Sequence, residues 1–85
     1  MIPTKNPFVQ YRSIGGKTYL FIKGRVFELD QISVKAWSLI DGINSLSDIV
    51  NSIAEEYDEK RKTVNSDIVT FLTDLKEKNL ITYSN

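Results

Sequence analysis

The stretch Lys17–Asp30, KTYLFIKGRVFELD, decides the fold. Residues 17–22 are rich in β-branched and aromatic side chains and read as a strand. Lys23-Gly24 supplies a tight turn, since glycine takes positive φ without steric cost, and residues 25–29 form the next strand. In this second strand Phe27 and Leu29 point one way while Val26 and Glu28 point the other. At Asp30 the alternation of period two stops.

Toward the N-terminus, Gly15-Gly16 joins residues 17–22 to a third run, residues 9–14, as a hairpin. Pro3 and Pro7 keep the first residues extended and non-helical. The result is a meander of three strands, about 9–14, 17–22 and 25–29, in sequential order. Its middle strand, Tyr19-Leu20-Phe21-Ile22, is apolar on both faces, as expected for a strand flanked on both sides and covered by helices.

Toward the C-terminus the period becomes helical. Ser33 is the expected N-cap of a helix over 33–41, with Ile32, Ala36, Trp37 and Ile40 on one face and Gly42 as its stop. Trp37, at a helical apolar position, reads as core. Ser45, with Asp48 three residues on, opens a helix over 46–57, in which Leu46, Ile49, Val50, Ile53, Ala54 and Tyr57 share a stripe. Asp58-Glu59-Lys60-Arg61-Lys62 reads as a charged connector. A last helix over 64–78 carries Val64, Ile68, Phe71, Leu72 and Leu75, and Asn79 ends it by a left-handed conformation. Leu80-Ile81-Thr82-Tyr83 packs back as an extended tail. The fold class is therefore α+β, a three-stranded antiparallel sheet followed by a three-helix bundle, in one domain over 1–85.

Composition narrows the chemistry. The 85 residues contain neither cysteine nor histidine, which excludes thiol nucleophiles, imidazole bases, disulfides and Cys/His metal sites. No serine sits in a nucleophile motif, so catalytic residues, cofactors and metals are expected to be absent. No apolar run approaches the roughly 18 residues that span a bilayer, and the first seven residues lack the apolar core of a secretion signal, so no membrane is expected and the cytoplasm is the default location. Net charge is zero but uneven: residues 1–27 hold five bases and no acid, while all eleven acids follow. The two halves either attract each other across the domain or meet a charged partner.

Taken as an ordered pattern, Phe27-Glu28-Leu29-Asp30, Ala36-Trp37, Ile40-Asp41-Gly42, Ile49, Asp67-Ile68, Phe71-Leu72 and Leu80-Ile81 resemble the PqqD-like family, the leader-recognition domains of ribosomally made, modified peptides. The resemblance runs from about Val9 to Tyr83; the spacings are individually weak, and their order together with the Asp-Gly after the first helix makes them specific. It departs in having Asn79 where glycine often ends the last helix. The resemblance implies a winged helix-turn-helix scaffold on which the leader of a precursor peptide lies antiparallel along the third strand, in a cleft walled by the last helix. It further implies that the peptide is passed to a separate tailoring enzyme: the leader peptidase and cyclase of a lasso peptide system, toward which the reading leans, or a radical S-adenosylmethionine enzyme.

The edge of the third strand fits that role physically. It has no proline, no central lysine and no evident bulge, only Glu28 and the flanking Arg25 and Asp30. The expected peptide contacts are Arg25, Val26, Phe27, Glu28, Leu29 and Asp30 on the strand, with Asp67, Phe71 and Asp74 on the last helix, where a carboxylate would receive a basic side chain or a hydroxyl. The alternative for each helix carboxylate is a solvated face. Ile68, Leu72 and Leu75 read as core. The competing class is a nucleic-acid-binding winged helix. Against it, residues 64–78 hold Asp67, Asp74 and Glu77 against Lys76 and Lys78, a net negative helix that phosphates would repel.

Overall fold

Two turns of the same kind build the main sheet. In a computed structural model that describes residues 1–84, β2 (Gln10–Ile14), β3 (Lys17–Ile22) and β4 (Arg25–Leu29) form an antiparallel meander in the order β2-β3-β4. Both connecting pairs are left-handed: Gly15 and Gly16 have φ of 60° and 81°, and Lys23 and Gly24 have φ of 49° and 75°. Two consecutive positive φ values make a type I′ turn, whose twist matches the strands it joins. Glycine bears this freely; Lys23 does so at a cost.

The inner face of the sheet, with Leu20, Ile22 and Leu29 buried, packs on three helices: α1 (Gln31–Ser38), α2 (Leu46–Tyr57) and α3 (Arg61–Glu77). These contribute Trp37, Ile49, Ile53, Ile68, Leu72 and Leu75 to a single core, and no polar side chain is buried among the described residues. The fold is thus the expected α+β winged-helix type. The outer face differs from expectation. No helix covers it, so Tyr19 and Phe21 are half-buried and meet each other, with ring centroids 6.1 Å apart.

Helix boundaries shift where a different cap wins. α1 begins two residues early because Asp30, not Ser33, is the N-cap: its Oδ1 accepts the Ser33 N–H at 2.8 Å. Ile32 is consequently on the exposed side, while Ala36, Trp37 and Ile40 are buried. The helix also ends before Gly42. Asp41 Oδ1 instead accepts the N–H groups of Ile43 and Asn44, and Gly42 takes φ +80° inside that loop. These backbone bonds, Asn44 first, hold the Asp41 carboxyl below its ordinary range. Nearby Lys5, its ammonium 5.0 Å from the Trp37 ring, is lowered by burial, with the Asp41 charge acting in the opposite sense.

α2 spans the expected residues, opened by a reciprocal capping box between Ser45 and Asp48. α3 starts earlier than expected, absorbing Arg61 and Lys62; Val64 N–H bonds to Lys60 O without any side-chain cap. Over Arg61–Glu77 three bases balance three acids, so this helix is neutral rather than net negative. At its end Asn79 takes φ 62°, Asn79 N–H bonds to Lys76 O and Leu80 N–H to Leu75 O, a Schellman motif that works without glycine.

The extended ends are more ordered than the sequence reading foresees. β1 (Ile2–Lys5) and β5 (Ile81–Ser84) pair antiparallel, Ile2 opposite Ser84 and Lys5 opposite Ile81, as a separate two-stranded ribbon. Pro3 and Ile81 are fully buried in it. The C-terminal tail is therefore committed to β1 and does not pair with β4.

Candidate functional site

The β3–β4 turn decides which backbone groups the sheet leaves open. A two-residue hairpin closes on a hydrogen-bonded pair, here Ile22 and Arg25, and hydrogen-bonded and non-bonded pairs then alternate. Leu20–Phe27 and Thr18–Leu29 are therefore bonded pairs, while Phe21–Val26 and Tyr19–Glu28 are not. Arg25, Phe27 and Leu29 direct their N–H and C=O groups to β3; Val26 and Glu28 direct theirs away from it. Among the described residues β3 is the only strand neighbour of β4. The open row is thus the donor and acceptor of each of Val26 and Glu28, followed by the Asp30 N–H, narrower than the full run from Arg25 to Asp30. Asp30 O is taken by Val34 N–H.

Beside this edge runs a groove of about 500 Å³ between β4 and α3. Val26 to Asp30 form one wall, and Phe71, Asp74 and Lys78 of the α3 end form the other, with Leu75 and Leu80 beneath and Ser33 at one margin. Phe27 and Phe71 are half-buried, while Leu29, Leu75 and Leu80 are buried, so the groove has an apolar floor within reach of open amides. Strand and helix contribute to it for one reason. The apolar side of β4 faces the bundle, and the flank of the α3 stripe stops short of closing over it.

Of the nine residues singled out in the sequence, the groove gathers Val26, Phe27, Glu28, Leu29, Asp30, Phe71 and Asp74. Arg25 lies at the turn end, its guanidinium 5.1 Å from the Phe27 ring. Asp67 is not part of the groove: it is exposed and borders a smaller hollow of about 140 Å³ with Ile32, Tyr57 and Thr63. It lies seven residues before Asp74, about two turns or 10 Å along the helix axis, so a shared helix face does not bring it to the same opening.

The role expected of Asp74 also changes. Its Oδ2 accepts a hydrogen bond from Lys78 Nζ at 2.5 Å, an i,i+4 pair, and the same ammonium lies 5.3 Å from the Phe27 ring. Asp74 is therefore engaged by a cation of its own helix. Lys78 was not among the residues expected in the site, although its i,i+4 spacing from Asp74 carries the signal. Ser33, Leu75 and Leu80 were likewise absent from the expected set, because a core residue and a groove floor have the same sequence signature.

No group of three or more Asp or Glu capable of holding a metal occurs among the described residues, and no helix among them is long and apolar enough to cross a membrane. A second hollow, about 330 Å³, is lined chiefly by Met1, Leu46, Val69, Leu72 and Tyr83. It is more apolar than the β4 groove but has no β4 amide on its rim.

Comparison with known proteins agrees with this geometry. A family model described as coenzyme PQQ synthesis protein D (PqqD) matches residues 12–81. A PqqA binding protein of Rhodopseudomonas palustris (strain BisB5) is 36% identical over 58 residues, 68% of this chain and 57% of that protein. A PqqA binding protein of Xanthomonas oryzae pv. oryzae is 29% identical over 86% of this chain and 79% of its own length. The match thus spans little more than half of the first of these relatives. Among solved structures, TbiB1 in complex with the TbiA(beta) leader peptide superimposes with a TM-score of 0.82 at 29% identity, covering 96% of this chain and 99% of that one. The solution structure of the PqqD truncation of Methylobacterium extorquens PqqCD, a stand-alone recognition element for ribosomally synthesised and post-translationally modified peptides, gives 0.82 at 27% identity, covering 96% and 89%. The edge-and-groove architecture, the family match over most of the chain and these two structural likenesses lead to one conclusion: the chain belongs to the PqqD family.

Proposed function

We propose that this domain binds the leader segment of a ribosomally made precursor peptide by strand addition to β4 and delivers it to a separate modifying enzyme, itself carrying out no chemistry. The observation that carries the reading is the outward pair Val26 and Glu28 on an unpartnered strand edge beside the apolar β4–α3 groove. The likeness to PqqA binding proteins and to TbiB1, whose structure includes a leader peptide, supports it.

Magnitudes divide the work between backbone and groove. Four backbone hydrogen bonds at roughly 0.5–1.5 kcal/mol each, set against the ordering of a flexible peptide, leave only a few kcal/mol. Micromolar affinity needs about 8 kcal/mol. Two or three apolar leader side chains entering the groove, at roughly 1.5–3 kcal/mol each, supply the remainder. Main-chain pairing then sets direction and register, and the groove sets which leader is accepted.

The partner enzyme in this reading is a leader peptidase with its cyclase, with a radical S-adenosylmethionine enzyme as the alternative, and the cytoplasm is where they meet. Titrating the isotope-labelled domain with synthetic leaders from short reading frames beside its gene tests the binding step. Saturable amide shifts are expected at residues 25–30 and 71–78. Saturation without movement of Val26 and Glu28 overturns strand addition.

A further inference from the structure

The groove is electrically polar along its length. At the turn end two cations converge on one ring: the Arg25 guanidinium 5.1 Å and the Lys78 ammonium 5.3 Å from the centroid of Phe27, with Lys23 two residues before Arg25. At the helix end stand Glu28 and Asp30, with Lys17 bordering the same margin. Asp74 is paired with Lys78 and Asp30 Oδ1 caps α1, which leaves one oxygen of Asp30 and the whole Glu28 carboxylate without a side-chain or backbone partner among the described residues. Arg25 and Asp30 are five residues apart, about 17 Å in an extended strand. That exceeds a screening length of about 10 Å, so each end acts on what lies beside it rather than cancelling the other.

We propose that the β4 edge together with its groove selects peptide segments with an ordered pair of charges: a lysine or arginine facing Glu28 or Asp30, and a carboxylate facing Arg25 and Lys78 at the Phe27 end. This rests on the strand-addition reading and specifies its ligand. Antiparallel pairing is the more stable arrangement, and it runs the incoming strand from the Asp30 end toward the Arg25 end. The basic residue therefore precedes the acidic one in the peptide, by three positions if it faces Glu28 and by five if it faces Asp30. Both spacings are odd, so the two side chains fall on opposite faces of the added strand. This matches β4, in which Arg25 shares the face of Phe27 while Glu28 and Asp30 share the other. The carboxylate enters as an alternative partner for Lys78, in the place Asp74 holds in the free domain.

The test is selection of randomised dodecapeptides displayed on phage against the folded domain at low salt, each selected peptide then being titrated into labelled domain. Peptides that shift the Val26 and Glu28 amides are expected to carry Asp or Glu three or five residues after Lys or Arg. Exchanging the two charges should weaken binding on the order of 5- to 10-fold at low salt and leave no difference at high salt. Selection on Arg25→Glu, shown folded by its melt and amide spectrum, should replace the carboxylate by a basic residue, and Lys78→Gln on the other wall should weaken the preference. Peptides that shift those two amides without any charge order, or with the opposite order, overturn this proposal and leave strand addition standing. Selection that yields only peptides leaving Val26 and Glu28 unmoved, or none at all, overturns strand addition and this proposal together.

Discussion

Four strands of this molecule sit at sheet edges, β1 and β5 in the ribbon and β2 and β4 in the meander, and they are treated differently. β1 carries Pro3, which has no N–H to offer, and β2 has Arg12 at its centre with all five residues exposed. Both are common defences against unwanted pairing. β4 has neither: Val26 and Glu28 present complete sets of donors and acceptors next to buried Leu29, Leu75 and Leu80. Within the meander, then, one edge is blunted by charge and the other lies open beside an apolar groove, the difference on which the strand-addition proposal rests.

The contrast can be broken most directly by giving β4 the defence of β1. Val26→Pro removes an outward N–H and puts a ring in the path of an added strand, but takes no hydrogen bond from the β3–β4 ladder. Leader affinity should fall at least about ten-fold, with a melting temperature close to that of the parent. Phe27→Pro, one residue on, deletes a ladder bond and should unfold the sheet instead. A Val26→Pro domain that binds leader normally would show that the edge is not used.

Next in size is the groove. Phe71→Ala removes a half-buried wall and should cost about 1–2 kcal/mol of leader affinity by calorimetric titration, with a parallel melt separating that loss from instability. Unchanged affinity would locate the apolar contacts elsewhere. A smaller effect is expected at the turn that sets the register. Lys23→Asn relieves a left-handed lysine, φ 49°, and should raise unfolding free energy by about 0.5–1 kcal/mol in denaturant melts without altering affinity. The smallest is Asp67→Ala: Asp67 faces a different hollow, so leader affinity should remain within about 0.3 kcal/mol of the parent. A larger loss would bring Asp67 back into the site.

Much of this architecture was legible in the chain, for reasons that particular residues make plain. Gly15-Gly16 and Lys23-Gly24 mark the turns because left-handed backbone is local chemistry. The Ser45–Asp48 box and Asn79 mark helix ends for the same reason. What escaped was whatever depends on competition or distance. Asp30 outcompetes Ser33 as cap because its carboxylate reaches the Ser33 N–H, and two adequate caps three residues apart look alike in sequence. The β1–β5 ribbon joins residues about eighty positions apart, a separation at which no local pattern carries information.

The same division runs through the site. Alternation along residues 25–30 sorted Phe27 and Leu29 from Val26 and Glu28 by itself, because successive side chains in a strand must point to opposite faces. The order of the hydrophobic spacings by itself carries the family resemblance. Only the folded chain decided that Asp74 is held by Lys78 while Asp67 faces another hollow, and that the tail pairs with β1 rather than covering β4. Backbone geometry is dictated residue by residue. Which charges meet, and which edge is left without a neighbour, follow from packing between segments that the sequence lists far apart.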